Sequence, residues 1–253
     1  MPVVSEFPHG SFCWIELTTS DRQAAIDFYT KVFGWTTVEV PMGDNGPYIL
    51  LQKNGTNVGA LNQRREGHIP PKWESYVSVD NVDESAEKVK SLGGNIIAGP
   101  FDVMDFGRMA FAADPSGAAF ALWHWVKPGT FIRDEANTLC WNELMTKDTA
   151  GSEKFYTSLF NWTAKGGADY TEWHLADGRG IGGMIDKMPP GVPPNWVPYI
   201  LVDDTDATVD AVKAGGGSVH MGPMDFPHVG RFALLADPQG ASFYVIRMND
   251  DHH

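Results

Sequence analysis

Two glutamates occupy one position of a repeated segment, Glu16 in CWIEL (13–17) and Glu143 in CWNEL (140–144), 127 residues apart. Two arginines recur likewise, Arg108 and Arg231, 123 residues apart. A carboxylate walled by tryptophan is poorly hydrated, which raises its pKa and suits it to take or return a proton. The same carboxylate can instead form a structural ion pair, Glu16 with Arg108 and Glu143 with Arg231. In a third reading, glutamate or arginine fixes the polar end of a small molecule while neighbouring aromatics stack on it. The residues alone leave all three open.

Other chemistry finds less support. His228 stands just before Gly230–Arg231, where an imidazole is either a rim base or a solvated loop residue. His68 falls in a proline-rich stretch, His252 and His253 end the chain, and His124, His174 and His220 have no spacing partner. Cys13 and Cys140 are too few for a disulfide framework, and there is no C-x-x-C pair. No nucleophile elbow, Walker sequence or dinucleotide fingerprint is present. Gly180, Gly182 and Gly183 lack the strand-to-helix setting that lets glycines hold a phosphate. No cofactor is expected.

The net charge of −13 repels a phosphate backbone, and no lysine–arginine cluster reverses it locally, so nucleic acid and anionic membrane are poor partners. No apolar run approaches the roughly 20 residues of a membrane helix, and the first residues, MPVVSEFPHG, do not read as a secretory signal. A cytoplasmic protein, monomer or homodimer, that binds a small-molecule ligand is the expectation.

Duplication organises the chain. CWIELTTSDRQAAIDFYTKVFGW, from Cys13, matches CWNELMTKDTAGSEKFYTSLFNW, from Cys140, at 11 of 23 positions. Trp73 to Gly117 matches Trp196 to Gly240 at 19 of 45. Two domains are expected, over 8–126 and 136–249. A weaker repeat lies within each, because Trp14, Trp73, Trp141 and Trp196 each precede an Asp by seven residues. Proline-rich linkers at 68–72, 127–137 and 187–195 separate four units. Each reads as a strand, a helix and then several strands. In the first, CWIEL alternates, Ser20 and Asp21 can cap a helix with the stripe Ala25, Phe28, Tyr29 and Val32, and Gly34 ends it. Strands follow at 48–52 and 57–61. The second unit offers strands at 75–79, 95–99, 108–113 and 118–124, a helix stripe of Val82, Ala86 and Val89, and a DPSG turn (114–117) that recurs as DPQG (237–240).

Four βαβββ units, with FY in the helix and DP-x-G before the last strand, resemble the vicinal oxygen chelate superfamily of glyoxalases, bleomycin resistance proteins and extradiol dioxygenases. The motifs W-x-E-L, FY, FGW and VGR…DPQGA look most like its two-domain actinobacterial branch described as hydroxylases. The resemblance implies an α+β fold of tandem βαβββ modules paired into two curved-sheet domains, each a trough with helices outside and the ligand inside.

Within that picture, strand alternation puts Trp14, Glu16, Tyr76 and Trp123 in the first trough, and Trp141, Glu143, Tyr199 and Tyr244 in the second. The same rule sends Arg108 and Arg231 inward, and Met109 and Phe111 to the helix side. Ligand binding is expected from these aromatics and arginines, with Glu16 and Glu143 as candidate acid–base groups. Trp35, Trp162, Phe28 and Phe155 are expected in the core, and Trp73 and Trp196 as anchors of their units. The metal positions that the resemblance implies fall on Trp14, Trp141, Ala121 and Tyr244, near Glu74 and Val197, and near Gly59–Ala60 and Gly182–Gly183. Only Glu74 among these is a hard donor, so no family-type metal centre is expected. The resulting expectation is metal-free binding of a small aromatic or cationic molecule. One alternative is a metal-free lyase, isomerase or hydroxylase-like enzyme, and another is a metal enzyme with displaced ligands, for instance Glu16 with Glu74.

Overall fold

The computed structural model describes residues 3–42, 46–63, 70–127, 129–167, 169–188 and 191–249; His68, His252 and His253 lie outside them, as do parts of the three linkers. The first half contains β1 (Val3–Val4), β2 (Phe12–Thr19), α1 (Arg22–Phe33), β3 (Thr36–Val40), β4 (Tyr48–Lys53) and β5 (Thr56–Gln63). It continues through β6 (Lys72–Ser78), α2 (Val82–Ser91), β7 (Asn95–Val103), β8 (Gly107–Ala113) and β9 (Ala119–Trp125). After a short β10 (Phe131–Ile132) come β11 (Thr138–Met145), α3 (Thr149–Phe160), β12 (Thr163–Gly167), β13 (Tyr170–His174) and β14 (Gly180–Ile185). The last unit is β15 (Asn195–Leu201), α4 (Thr205–Ala214), β16 (Ser218–Phe226), β17 (Gly230–Ala236) and β18 (Ser242–Met248).

Each half builds one eight-stranded sheet, in the orders β3-β4-β5-β2-β6-β9-β8-β7 and β12-β13-β14-β11-β15-β18-β17-β16. The two units of a half meet where their first strands pair antiparallel, β2 with β6 and β11 with β15. This is the tandem βαβββ architecture that the repeats imply.

Local signals position the helices. The Asp21 carboxylate accepts the Ala24 amide at 3.1 Å, and Gly34 turns left-handed at φ 69° to end α1. Asp148 and Asn161 do the same for α3. The helices of the first units do not simply cover their own sheet. Phe28, Tyr29 and Phe33 of α1 pack around Phe243 of the other half, and Phe155, Tyr156 and Phe160 of α3 around Phe120. The two sheets are thus joined back to back through an aromatic layer. Trp35 and Trp162 are buried in it, as expected. Trp73 and Trp196 donate from Nε1 to the hydroxyls of Tyr29 and Tyr156, at 3.0 and 2.8 Å.

That arrangement leaves each sheet's concave face for a trough. Among the described residues, no helix is long and apolar enough to cross a membrane.

Candidate functional site

The first trough encloses a cavity of about 510 Å³, a size that suits a drug-like ligand. Trp14 and Glu16 of β2, Tyr48 and Leu50 of β4, Tyr76 of β6 and Trp123 of β9 line it, as alternation along each strand dictates. Phe101, Phe106 and Trp125 wall it, and Asn57, Asn62 and Lys127 are its other polar groups apart from Thr130. Phe131, in what the sequence presents as a linker, packs on Trp14 at 5.5 Å. Lys127 is paired with Asp105.

Glu16 is the buried acid of this cavity, 8% exposed. Its Oε2 accepts from the Tyr48 hydroxyl at 2.6 Å and from that of Tyr76 at 3.1 Å, while Trp14 Nε1 reaches the Tyr48 oxygen at 3.3 Å. Two phenol donors thus converge on one carboxyl oxygen. Burial, and next the charge of Glu16, push both phenols well above their ordinary value, so Tyr48 and Tyr76 stay neutral donors. Opposite Glu16 in register stands Glu74, which holds Lys72 at 2.5 Å.

The second trough repeats the frame with a different filling. Trp141 Nε1 donates to the Tyr170 hydroxyl at 3.1 Å, and Tyr170 donates to Glu143 Oε2 at 3.2 Å. Gly183 makes that approach possible, since a Cβ there would stand 2.1 Å from the Tyr170 oxygen. Tyr199, however, stacks on Tyr244 rather than reaching the glutamate. Among the described residues, Glu143 Oε1 is buried without a hydrogen-bond partner, and burial pushes this carboxyl up to about 8, against the opposing pull of Tyr170 and Trp141. Met145, Leu234 and Tyr244 pack together here, with Tyr199 and Phe232 against them.

The parity expected for β8 and β17 is reversed. Arg108 lies on the outer face, bonded to both oxygens of Asp83 at 2.7 and 2.8 Å and to Asp102 at 2.8 Å. Arg231 likewise grips Asp206 at 2.5 and 2.9 Å and Asp225 at 3.1 Å. These bonds hold Asp83 and Asp206 below the usual carboxylate range. Neither arginine faces a trough, so the Glu16–Arg108 and Glu143–Arg231 pairs do not form. Met109 and Phe111 line the cavity instead. The DPSG hairpin explains this, because it pairs Phe111 with Ala121 and Met109 with Trp123, and directly paired residues share a face.

Tyr48, Phe101, Phe106, Met109, Phe111 and Trp125 were not among the sequence candidates. Tyr48 precedes Ile49 and Leu51, which are buried on the helix side, so alternation along β4 was the signal for it. Trp125 lies two residues beyond Trp123 and follows the same rule. His228 is exposed in a left-handed loop at φ 65°, and His124 and His174 bond the carbonyls of Val79 and Gly178. Cys13 and Cys140 are buried, and burial pushes both thiols up.

The donor set at the positions that the family resemblance implies does not fit a family-type divalent metal centre. The positions in question present Trp14, Ala121, Trp141, Tyr244 and Val197, and the one carboxylate, Glu74, is bonded to Lys72. Among the described residues, no three His, Cys, Asp or Glu side chains are grouped to hold an ion.

Known proteins share this architecture. A homoprotocatechuate 2,3-dioxygenase variant from B. fuscum superposes with a TM-score of 0.68 at 14% identity, over 97% of this chain and 73% of that one. The Mn(II)-bound glyoxalase from Novosphingobium aromaticivorans gives 0.66 at 18% identity, over 97% and 85%. In sequence, the chain is 39% identical to the "Putative glyoxylase CFP32" of Mycobacterium tuberculosis over 98% of both chains. It is 32% identical to the anthracycline biosynthesis protein DnrV of Streptomyces peucetius, over 98% of this chain and 97% of that one. The family model of the glyoxalase/bleomycin resistance protein/dioxygenase superfamily matches twice, at residues 11–122 and 138–245. The chain belongs to that superfamily.

Proposed function

We propose that this protein binds a small aromatic or cationic molecule in its first trough, without a metal of the family type. The domains would be 8–126 and 136–249, in a cytoplasmic monomer or homodimer. The observation that carries the reading is the cavity of about 510 Å³, walled by Trp14, Tyr76, Trp123 and Trp125 around the buried carboxylate of Glu16. Aromatic walls favour a flat ligand through burial and ring stacking. A buried carboxylate, in a chain of net charge −13, favours a cation over an anion. The likeness to a protein named for anthracycline biosynthesis is consistent with a planar polycyclic ligand.

Titration with two probes of one shape and opposite charge, 2-naphthylmethylammonium and 2-naphthoate, tests this. The cation should bind and the anion should not, and Glu16→Gln should narrow the difference. Failure of the cation to bind, or equal binding of both, would overturn the reading.

Acid–base catalysis by Glu16 is the second reading, favoured by the position of this carboxylate in an enclosed cavity. Glu143 has a pKa near working pH but lies beside a filled trough. If Glu16 transfers a proton, Glu16→Gln should retain ligand while any turnover falls by roughly 10²–10⁴.

A further inference from the structure

The two halves give their glutamates different numbers of phenol donors. Glu16 Oε2 accepts from Tyr48 at 2.6 Å and from Tyr76 at 3.1 Å. The shorter bond falls in the range of about 2.5–2.7 Å typical of a hydroxyl donating to an ionised carboxylate. Glu143 Oε2 accepts one phenol, Tyr170, at 3.2 Å. The residue that matches Tyr76 is Tyr199, and its ring is stacked on Tyr244 with centroids 4.1 Å apart and planes 8° from parallel. Ala121, in register with Tyr76 as Tyr244 is with Tyr199, carries no ring, and Tyr76 reaches the carboxylate instead.

Donation by a hydroxyl favours the ionised form of a carboxyl group, and burial favours the neutral one. With one long phenol bond, burial prevails at Glu143. Around Glu16 the neighbouring charges offset one another. Glu74 faces it in register from β6 and opposes a second negative charge there, while Lys72 holds Glu74. From β5 the residue in register is Ala60, β4 contributes Tyr48 and Leu50, and β9 contributes Trp123. Lys127, also on the cavity, is paired with Asp105. The two phenols touch the carboxylate itself, and both remain protonated donors because burial raises their own pKa.

We propose that Tyr48 and Tyr76 are positioning residues that fix Glu16 as an anion, so that the first trough takes an aromatic ammonium ion throughout the range from pH 5 to 8. This rests on the reading of the first trough as a cation site, and adds the residues that set its charge. A ligand cation then meets a carboxylate already ionised, with no proton to expel. Were Glu16 held by one phenol, as Glu143 is, each pH unit below its raised pKa would weaken cation binding about tenfold.

The test is titration of 2-naphthylmethylammonium at pH 5 and pH 8, with 2-methylnaphthalene as an uncharged probe of similar shape. The unaltered protein should bind the ammonium equally at both pH values, within about twofold. Tyr48→Phe and Tyr76→Phe should each bind it about tenfold or more weakly at pH 5 than at pH 8. Neither variant should show pH dependence toward 2-methylnaphthalene, and adding Glu16→Gln to either should remove the dependence seen with the ammonium. An affinity that falls toward pH 5 in the unaltered protein, or stays level in either folded variant, would overturn the proposal while leaving the site in place. So would a pH dependence that survives Glu16→Gln, or an equal loss of both probes at both pH values, which marks the hydroxyls as structural. If Tyr48→Phe does not fold, since Trp14 Nε1 loses its acceptor, Tyr76→Phe decides. If the unaltered protein binds the ammonium at neither pH, the reading of the trough as a cation site fails, and this proposal with it.

Discussion

Tyr29 donates its hydroxyl to Asp237, 208 residues further along the chain, at 3.1 Å. The same oxygen accepts from Trp73 Nε1, so one phenol links α1, the first sheet and the turn before the last strand. The other oxygen of Asp237 holds its own DPQG turn by accepting the amides of Gln239 and Ala241 at 2.9 Å each. Tyr156 and Asp114 form the mirror arrangement, at 3.2 Å. The FY pair in each helix and the DP-x-G turn are therefore halves of one joint between the sheets.

Removing that hydroxyl leaves a buried indole N–H and a buried carboxylate oxygen short of a partner. Tyr29→Phe and Tyr156→Phe should each cost about 1–3 kcal/mol, read by denaturant unfolding. The naphthyl probes should bind as before, because neither tyrosine borders the cavity.

Glu143 makes a pH prediction. A carboxyl raised from 4.5 to about 8 binds its proton more tightly in the folded state than in the unfolded one. Its contribution is therefore greatest below pH 4.5 and is lost as pH rises to about 8, by an amount on the order of 5 kcal/mol. Glu143→Gln keeps the shape without the titration. The variant should gain on the parent steadily between pH 5 and 8 in thermal unfolding. Pairing with Arg231 would have given the opposite sign, a variant weaker at pH 8.

Arg108 and Arg231 join half-exposed aspartates on the outer face, where ion pairs contribute little. Arg108→Ala should leave affinity for 2-naphthylmethylammonium unchanged, with only a small shift in melting temperature. Affinity lost in this variant would return the guanidinium to the ligand.

Trp14 and Phe28 separate site from core. Phe28→Ala opens a cavity between α1 and the second sheet and should cost about 3–5 kcal/mol. Trp14→Ala should cost less, since its ring borders the open trough, and should weaken probe binding where Phe28→Ala does not. Unfolding curves and titrations on both variants provide the check.

Much of this was legible in the residues. Duplication gave the two sheets, and period-two alternation along β2, β6 and β9 placed Trp14, Glu16, Tyr76 and Trp123 correctly on the concave face. Alternation misleads on β8, because its most apolar residues, Met109 and Phe111, read as helix-facing. A ligand trough is itself apolar, so hydrophobicity does not distinguish the two faces of such a strand. The turn did hold the answer: Ala113 opposite Ala119 fixes Phe111 opposite Ala121. The packing of α1 on Phe243 left no local trace, since an amphipathic stripe specifies a buried face and not which sheet covers it. The stacking of Tyr244 on Tyr199 is likewise hidden. The repeat aligns it with Ala121 and does not say which ring it meets.

The account rests on a first trough that binds without a metal. The most direct measurement is the affinity for 2-naphthylmethylammonium before and after exhaustive chelation, with the metal content determined on the same samples. We expect less than one equivalent of transition metal at the outset and the same affinity after chelation. A stoichiometric divalent ion whose removal abolishes binding, and whose return restores it, would contradict the account.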